Sequence, residues 1–110
     1  MNNGDVAIEY LTGFSEGDLD RIKRVLADGF EFNGPFLSGK SAEEYIKTLE
    51  ADPPEKSLFK IISMFDRDDE VCIIYRFEKP GVVADMAQLF KFEAGKISKS
   101  KLIFDSRVFT

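Results

Sequence analysis

With 110 residues, of which 44% are hydrophobic and 32% charged, the chain has material for one globular core and no room for a second domain. Its net charge of −5 lacks the basic face that phosphate contacts require, which argues against a nucleic-acid partner, and the absence of histidine excludes an imidazole zinc site and any Ser–His–Asp triad. A single cysteine, Cys72, excludes an intrachain disulfide; in its apolar run it reads as a buried, inert thiol.

The N-terminal Met1-Asn2-Asn3-Gly4-Asp5 has neither a basic nor an apolar segment of the signal-peptide kind, and no apolar stretch approaches a membrane span, so a cytoplasmic location is expected. Ala7, Tyr10, Leu11 and Phe14 recur at i, i+3, i+4 and i+7, which predicts a helix with Asp5 as its N-cap, broken between Gly13 and Gly17. Asp18 caps a second helix with Leu19, Ile22, Val25 and Leu26 on one face, ended by Asp28-Gly29. Phe30-Glu31-Phe32-Asn33 alternates and predicts a short strand before Gly34-Pro35. Ser38-Gly39-Lys40 reads as a turn. Ser41-Ala42-Glu43-Glu44 is a capping box opening a third helix through Tyr45, Ile46 and Leu49, which Asp52-Pro53-Pro54 stops.

The period then changes. Four strand-like runs follow, at about 57–66, 70–79, 82–93 and 96–108, separated by Arg67-Asp68-Asp69, Pro80-Gly81 and Ala94-Gly95. Short turns between long runs predict an antiparallel meander. The order α-α-β-α-β-β-β-β predicts an α+β fold with the helices on one face of a curved antiparallel sheet. Lys96, Lys99 and Lys101 read as a solvated strand edge. Alternation puts Val71, Ile73, Tyr75 and Phe77 on one face; Met86, Gln88, Phe90 and Phe92 on one face; and Leu102, Phe104 and Val108 opposite Ile103, Asp105 and Arg107. Ile74, Leu89 and Ile103 then fall on the side away from the helices. That much outer apolar surface predicts a homodimer through the outer sheet face.

The element order, together with Tyr10 followed by Phe14-Ser15-Glu16-Gly17-Asp18, with Phe30-Glu31-Phe32-Asn33-Gly34-Pro35 before Ser38-Gly39-Lys40, and with Gly95-Lys96-Ile97 leading to Ile103-Phe104-Asp105, resembles the NTF2-like superfamily and its SnoaL-like members over essentially the whole chain. The resemblance implies a cone-shaped, cystatin-like fold with an interior pocket and frequent dimerisation. It implies no single activity, because isomerases, cyclases, hydratases, epoxide hydrolases and non-catalytic modules share the fold. Beside ketosteroid isomerase, Tyr10 looks similar to the oxyanion tyrosine, and Gln88 stands where that family has a protonated aspartic acid. An amide N–H can still donate there. The base position, however, falls at Asn33 or Gly34, and neither can abstract a proton. Beside limonene-type epoxide hydrolases, Arg76, Asp105 and Arg107 are candidates, but Leu102 occupies one aspartate position, and alternation sets Asp105 and Arg107 opposite Leu102 and Phe104. Beside SnoaL-type cyclases, Asp105 is the only nearby acid–base candidate, and no histidine accompanies it.

The expected site is thus a pocket for a small, mostly apolar molecule, with Tyr10, Asn33, Tyr75 and Gln88 as polar points and Ile73, Phe77, Phe90 and Phe104 as walls. Asp105 is the candidate acid–base group of an alternative cofactor-independent isomerase, cyclase or hydratase. A third reading is a dimerisation module whose cavity is filled core. No metal or cofactor is implied.

Overall fold

The computed structural model describes residues 1–109. Helix α1 (Asn3–Glu16) opens on Asn2, whose side chain accepts the Asp5 N–H while Asp5 reaches back to the Asn2 N–H. Asp5 is therefore the return half of a capping box and not the cap itself. The helix ends at Gly17 in the left-handed region (φ 69°), and Asp18 then caps α2 (Leu19–Val25). Helix α2 is shorter than the periodicity predicts. Leu26 leaves the helical stripe to begin β1 (Leu26–Asn33), where it pairs with Ile97, so a sheet contact overrides the local pattern. Ser38-Gly39, expected as a turn, forms the two-residue strand β2 against Phe32 and Asn33. Helix α3 (Ala42–Ala51) starts on Ser41, whose hydroxyl accepts the Glu44 N–H at 3.0 Å, and stops before Pro53-Pro54.

Strands β3 (Leu58–Arg67), β4 (Glu70–Lys79), β5 (Val82–Glu93) and β6 (Lys96–Ile103) form the predicted meander. The sheet order is β2-β1-β6-β5-β4-β3. Three helices packed on this curved, open, six-stranded sheet make the α+β cone. Three expectations about the sheet need correction. The sheet is not wholly antiparallel: β1 lies parallel to β6, because the returning meander brings β6 beside β1 in the same direction. This places β6 inside the sheet, so Lys96, Lys99 and Lys101 are not on an edge strand. The last run also stops early. Strand β6 ends at Ile103, and Ser106–Phe109 turn into a 3-10 helix that Asp105 holds, its carboxylate accepting the Arg107 N–H at 3.0 Å and its carbonyl the Val108 N–H at 3.2 Å. Val108 consequently shares no strand face with Leu102 and Phe104.

Alternation sets the two faces. Val71, Ile73, Tyr75, Met86, Gln88, Phe90, Phe92, Ile97 and Ser100 are buried beneath the helices. Cross-strand register places Ile74, Ala87 and Ile103 in one row of the outer face, and Phe65, Cys72, Leu89 and Lys101 in the next. Cys72 is half-buried on that outer face and not sealed in the core, since the helices cover only the other side.

Candidate functional site

A cavity of about 510 Å³ lies between the helices and the inner sheet face. It falls in the size range of small-molecule sites. Its walls are apolar: Leu11 and Phe14 from α1, Leu49 from α3, Phe59 from β3, Phe77 from β4, Met86 from β5 and Leu102 from β6. Three exposed segments ring the mouth: Gly34–Leu37, the Asp52–Ser57 loop after α3, and the C-terminal turn ending in Phe109. The rings of Phe36, Phe104 and Phe109 pack edge to face there, at 5.2–5.9 Å between centroids.

The floor is polar. The Tyr75 hydroxyl donates to Gln88 Oε1 at 2.9 Å, and Gln88 Nε2 donates to Ser100 Oγ at 2.8 Å. The hydroxyls of Tyr10 and Tyr45 are hydrogen-bonded to each other. All five side chains are buried, and among the described residues no buried side-chain nitrogen or oxygen lacks a partner. Burial pushes the phenols of Tyr10, Tyr45 and Tyr75 well above the usual tyrosine range. For Tyr10, the adjacent Tyr45 adds to the effect and Gln88 opposes it. The three phenols are therefore neutral donors at physiological pH. Two hydroxyls bonded to each other carry two protons and use one between them. The other proton can serve an acceptor that enters the cavity.

Of the residues expected at the site, Tyr10, Tyr75, Phe77, Gln88 and Phe104 line the cavity together. Ile73 and Phe90 lie in the core outside the lining; Phe90 sets its ring edge-on to Tyr10 at 5.5 Å, so it positions that phenol from behind. Asn33 is exposed at the end of β1, paired with Ser38 and Lys101, while its neighbour Gly34 reaches the lining. Asp105 lies outside the lining. It is exposed and gripped by the Arg107 guanidinium at 2.7 and 2.9 Å, which holds its carboxyl below the usual carboxylate range. The carboxylates that do reach the lining are Asp52 and Glu55, at the mouth. Among the described residues no group of His, Cys, Asp or Glu side chains could hold a metal ion.

Members of the site that escape the sequence reading include the walls Leu11, Phe14, Leu49, Phe59, Met86 and Leu102 and three polar residues, Tyr45, Ser100 and Lys79. Tyr45 is indistinguishable from a core residue of the α3 stripe. Ser100 meets Gln88 only through the β5–β6 register. Lys79 does carry a signal, because it continues the inner-face series 71, 73, 75, 77.

The sequence profile of the SnoaL-like domain matches residues 7–100. No curated protein matches the chain. Among solved structures, an NTF2-like protein of unknown function from Cytophaga hutchinsonii is 25% identical, with 97% of this chain and 93% of that one covered and a TM-score of 0.83. A candidate SnoaL-like polyketide cyclase from Shewanella denitrificans is 15% identical, with 97% and 93% covered and a TM-score of 0.81. A candidate ketosteroid isomerase from Kribbella flavida is 8% identical, with 94% and 77% covered and a TM-score of 0.81. The last two likenesses extend to the fold alone. Profile, element order and cone agree: the chain belongs to the SnoaL-like domain family, within the NTF2-like superfamily.

Proposed function

We propose that the protein binds a small, mostly apolar molecule bearing an acceptor oxygen, with that oxygen on the Tyr10–Tyr45 hydroxyl pair and its apolar body against the phenylalanine walls. The observation that carries this reading is the gathering of three buried, neutral phenols and one amide at the floor of a cavity whose walls are apolar. The names of two structural neighbours are consistent with it, since polyketides and ketosteroids are both carbonyl compounds. Acid–base turnover through Asp105 has less support. The only carboxylates in the described lining stand at the mouth, and a carboxyl whose proton affinity Arg107 has lowered is a weak base.

Methyl octyl ketone is a suitable probe, observed by chemical-shift changes of the lining residues. Saturable binding is expected, weakened about tenfold when both hydroxyls are removed in the Tyr10→Phe, Tyr45→Phe double variant, the worth of one hydrogen bond of about 1.4 kcal/mol. Absence of binding, or binding indifferent to both substitutions in folded protein, would overturn the reading.

We also infer that the outer sheet face meets a second copy of the chain. The rows Ile74–Ala87–Ile103 and Phe65–Cys72–Leu89 form a contiguous apolar strip on which Leu89, Ile103 and Phe65 are 38%, 57% and 62% exposed. A twofold axis would bury the strip against itself.

A further inference from the structure

We infer that the cavity selects an amphipathic acid: a molecule whose acceptor oxygen rests on the tyrosine floor and whose carboxylate, at the other end, pairs with Lys79. This rests on the binding reading above and adds the charge and length of the ligand.

Strand β4 supplies both ends of the site. Tyr75, Phe77 and Lys79 alternate onto the inner face, so floor, wall and mouth follow one another along one strand. Four residues at ~3.3 Å each set Tyr75 and Lys79 about 13 Å apart. A ligand that meets both the tyrosine floor and Lys79 therefore runs from floor to mouth along this strand.

Lys79 is built into the lining. Its side chain is 24% exposed, and its ammonium stands over the Phe109 ring at 5.7 Å from the centroid. An ammonium has three donors. The carboxylate paired with it, Glu55 at 3.7 Å, is beyond good hydrogen-bond distance and 69% exposed on the Asp52–Ser57 loop. A ligand carboxylate that replaces Glu55 gives up little, because exposed ion pairs of this kind contribute little. It gains a shorter, charge-assisted bond in a less watery place. Among the residues that line the cavity, Asp52 and Glu55 set two negative charges against the one positive charge of Lys79. Both, however, project into solvent, where their fields are screened, whereas Lys79 is the charge that borders the apolar interior.

The test compares methyl octyl ketone with the keto acid in which a carboxylate replaces that chain's terminal methyl, by calorimetric titration of the full chain. The keto acid is expected to bind about tenfold tighter or better. Lys79→Gln should abolish that preference, read as the ratio of the two affinities within one variant, and Lys79→Arg should retain it. Glu55→Gln should tighten the keto acid further by removing its competitor. Equal affinities in the wild type, a preference that survives Lys79→Gln, or tighter binding of the matching terminal amine would each overturn the selection of an acid and leave the ketone site standing. If neither ketone nor keto acid binds, the binding reading itself falls, and this inference with it.

Discussion

Gln88 shows how one buried amide organises a pocket. Its two polar atoms join Tyr75 to Ser100, so three strand-borne groups pair with one another. Replacing it by leucine keeps the volume but strands a buried phenol and a buried hydroxyl. At about 1–3 kcal/mol for each buried group left unsatisfied, Gln88→Leu should lower unfolding free energy by at least ~2 kcal/mol in urea denaturation. A near-neutral result would mean that Tyr75 and Ser100 find other partners. The tyrosines make a second prediction, in pH. Each has a folded pKa raised above its ordinary value of 10.0. The unfolded chain therefore releases these protons first, and the stability they contribute is intact below pH 10 and is lost as pH rises above it. These are the chain's only three tyrosines. Tyrosinate absorbance should thus stay flat through pH 10 and then rise in one step coincident with loss of circular dichroism. A gradual rise near pH 10 with the fold intact would show a phenol open to water. The sequence exposed Gln88 and Tyr75 as polar breaks in apolar faces. It could not expose Tyr45, because a tyrosine in a helical stripe reads the same whether its hydroxyl meets a loop or another phenol.

At the level of elements, legibility followed the turns. Strands β4 and β5 have the bounds that Asp68-Asp69, Pro80-Gly81 and Ala94-Gly95 imply, since the left-handed backbone at Asp68, Gly81, Ala94 and Gly95 is local chemistry. The end of α2 and the parallel β1–β6 pairing were not legible, because each is decided by which strand arrives alongside; nor was the end of β6, which stops where Asp105 holds a 3-10 turn although β5 runs on beside it. The α1–α2 corner lies between these cases. Gly13 reads as a helix breaker, yet it sits inside α1, where a Cβ would stand 2.9 Å from Ile22 Cγ1 and 3.2 Å from the Asp18 carbonyl oxygen. Its role is close approach. The Gly13 carbonyl also accepts the Asp18 N–H at 2.8 Å, which ties the corner so that it cannot open cheaply. Gly13→Ala gains up to ~1 kcal/mol of helix propensity and meets an overpacking cost of about 1–3 kcal/mol. A net loss of about 1 kcal/mol is expected, read as a lower urea midpoint with unchanged slope. A stabilised variant would show that the two helices slide apart freely.

For the molecule as a whole, the helices cover one sheet face and leave the other bare, and this asymmetry sets what the cone can do. The covered face cannot also be filled solidly, because the sheet curves away from three short helices and leaves the cavity between them. The bare face keeps an apolar strip whose row of Ile74, Ala87 and Ile103 borders the exposed Arg76–Asp85 pair, while Lys101 closes the end of the neighbouring row of Phe65, Cys72 and Leu89. A strip of this composition with a polar rim has the anatomy of an interface. Ile103 is the instructive position. It is exposed in the protomer, so a charge there costs the isolated fold little, but across a twofold axis it would be desolvated close to its own symmetry mate. Ile103→Glu should therefore convert a dimer to a monomer in sedimentation velocity while circular dichroism stays unchanged. Ketone binding should survive, because Ile103 is not among the cavity-lining residues. A wild-type protein that sediments as a monomer at every concentration would remove the second copy from the outer face. A variant that dissociates and also loses the ketone would instead show that pairing of the outer faces holds the sheet curvature on which the cavity depends.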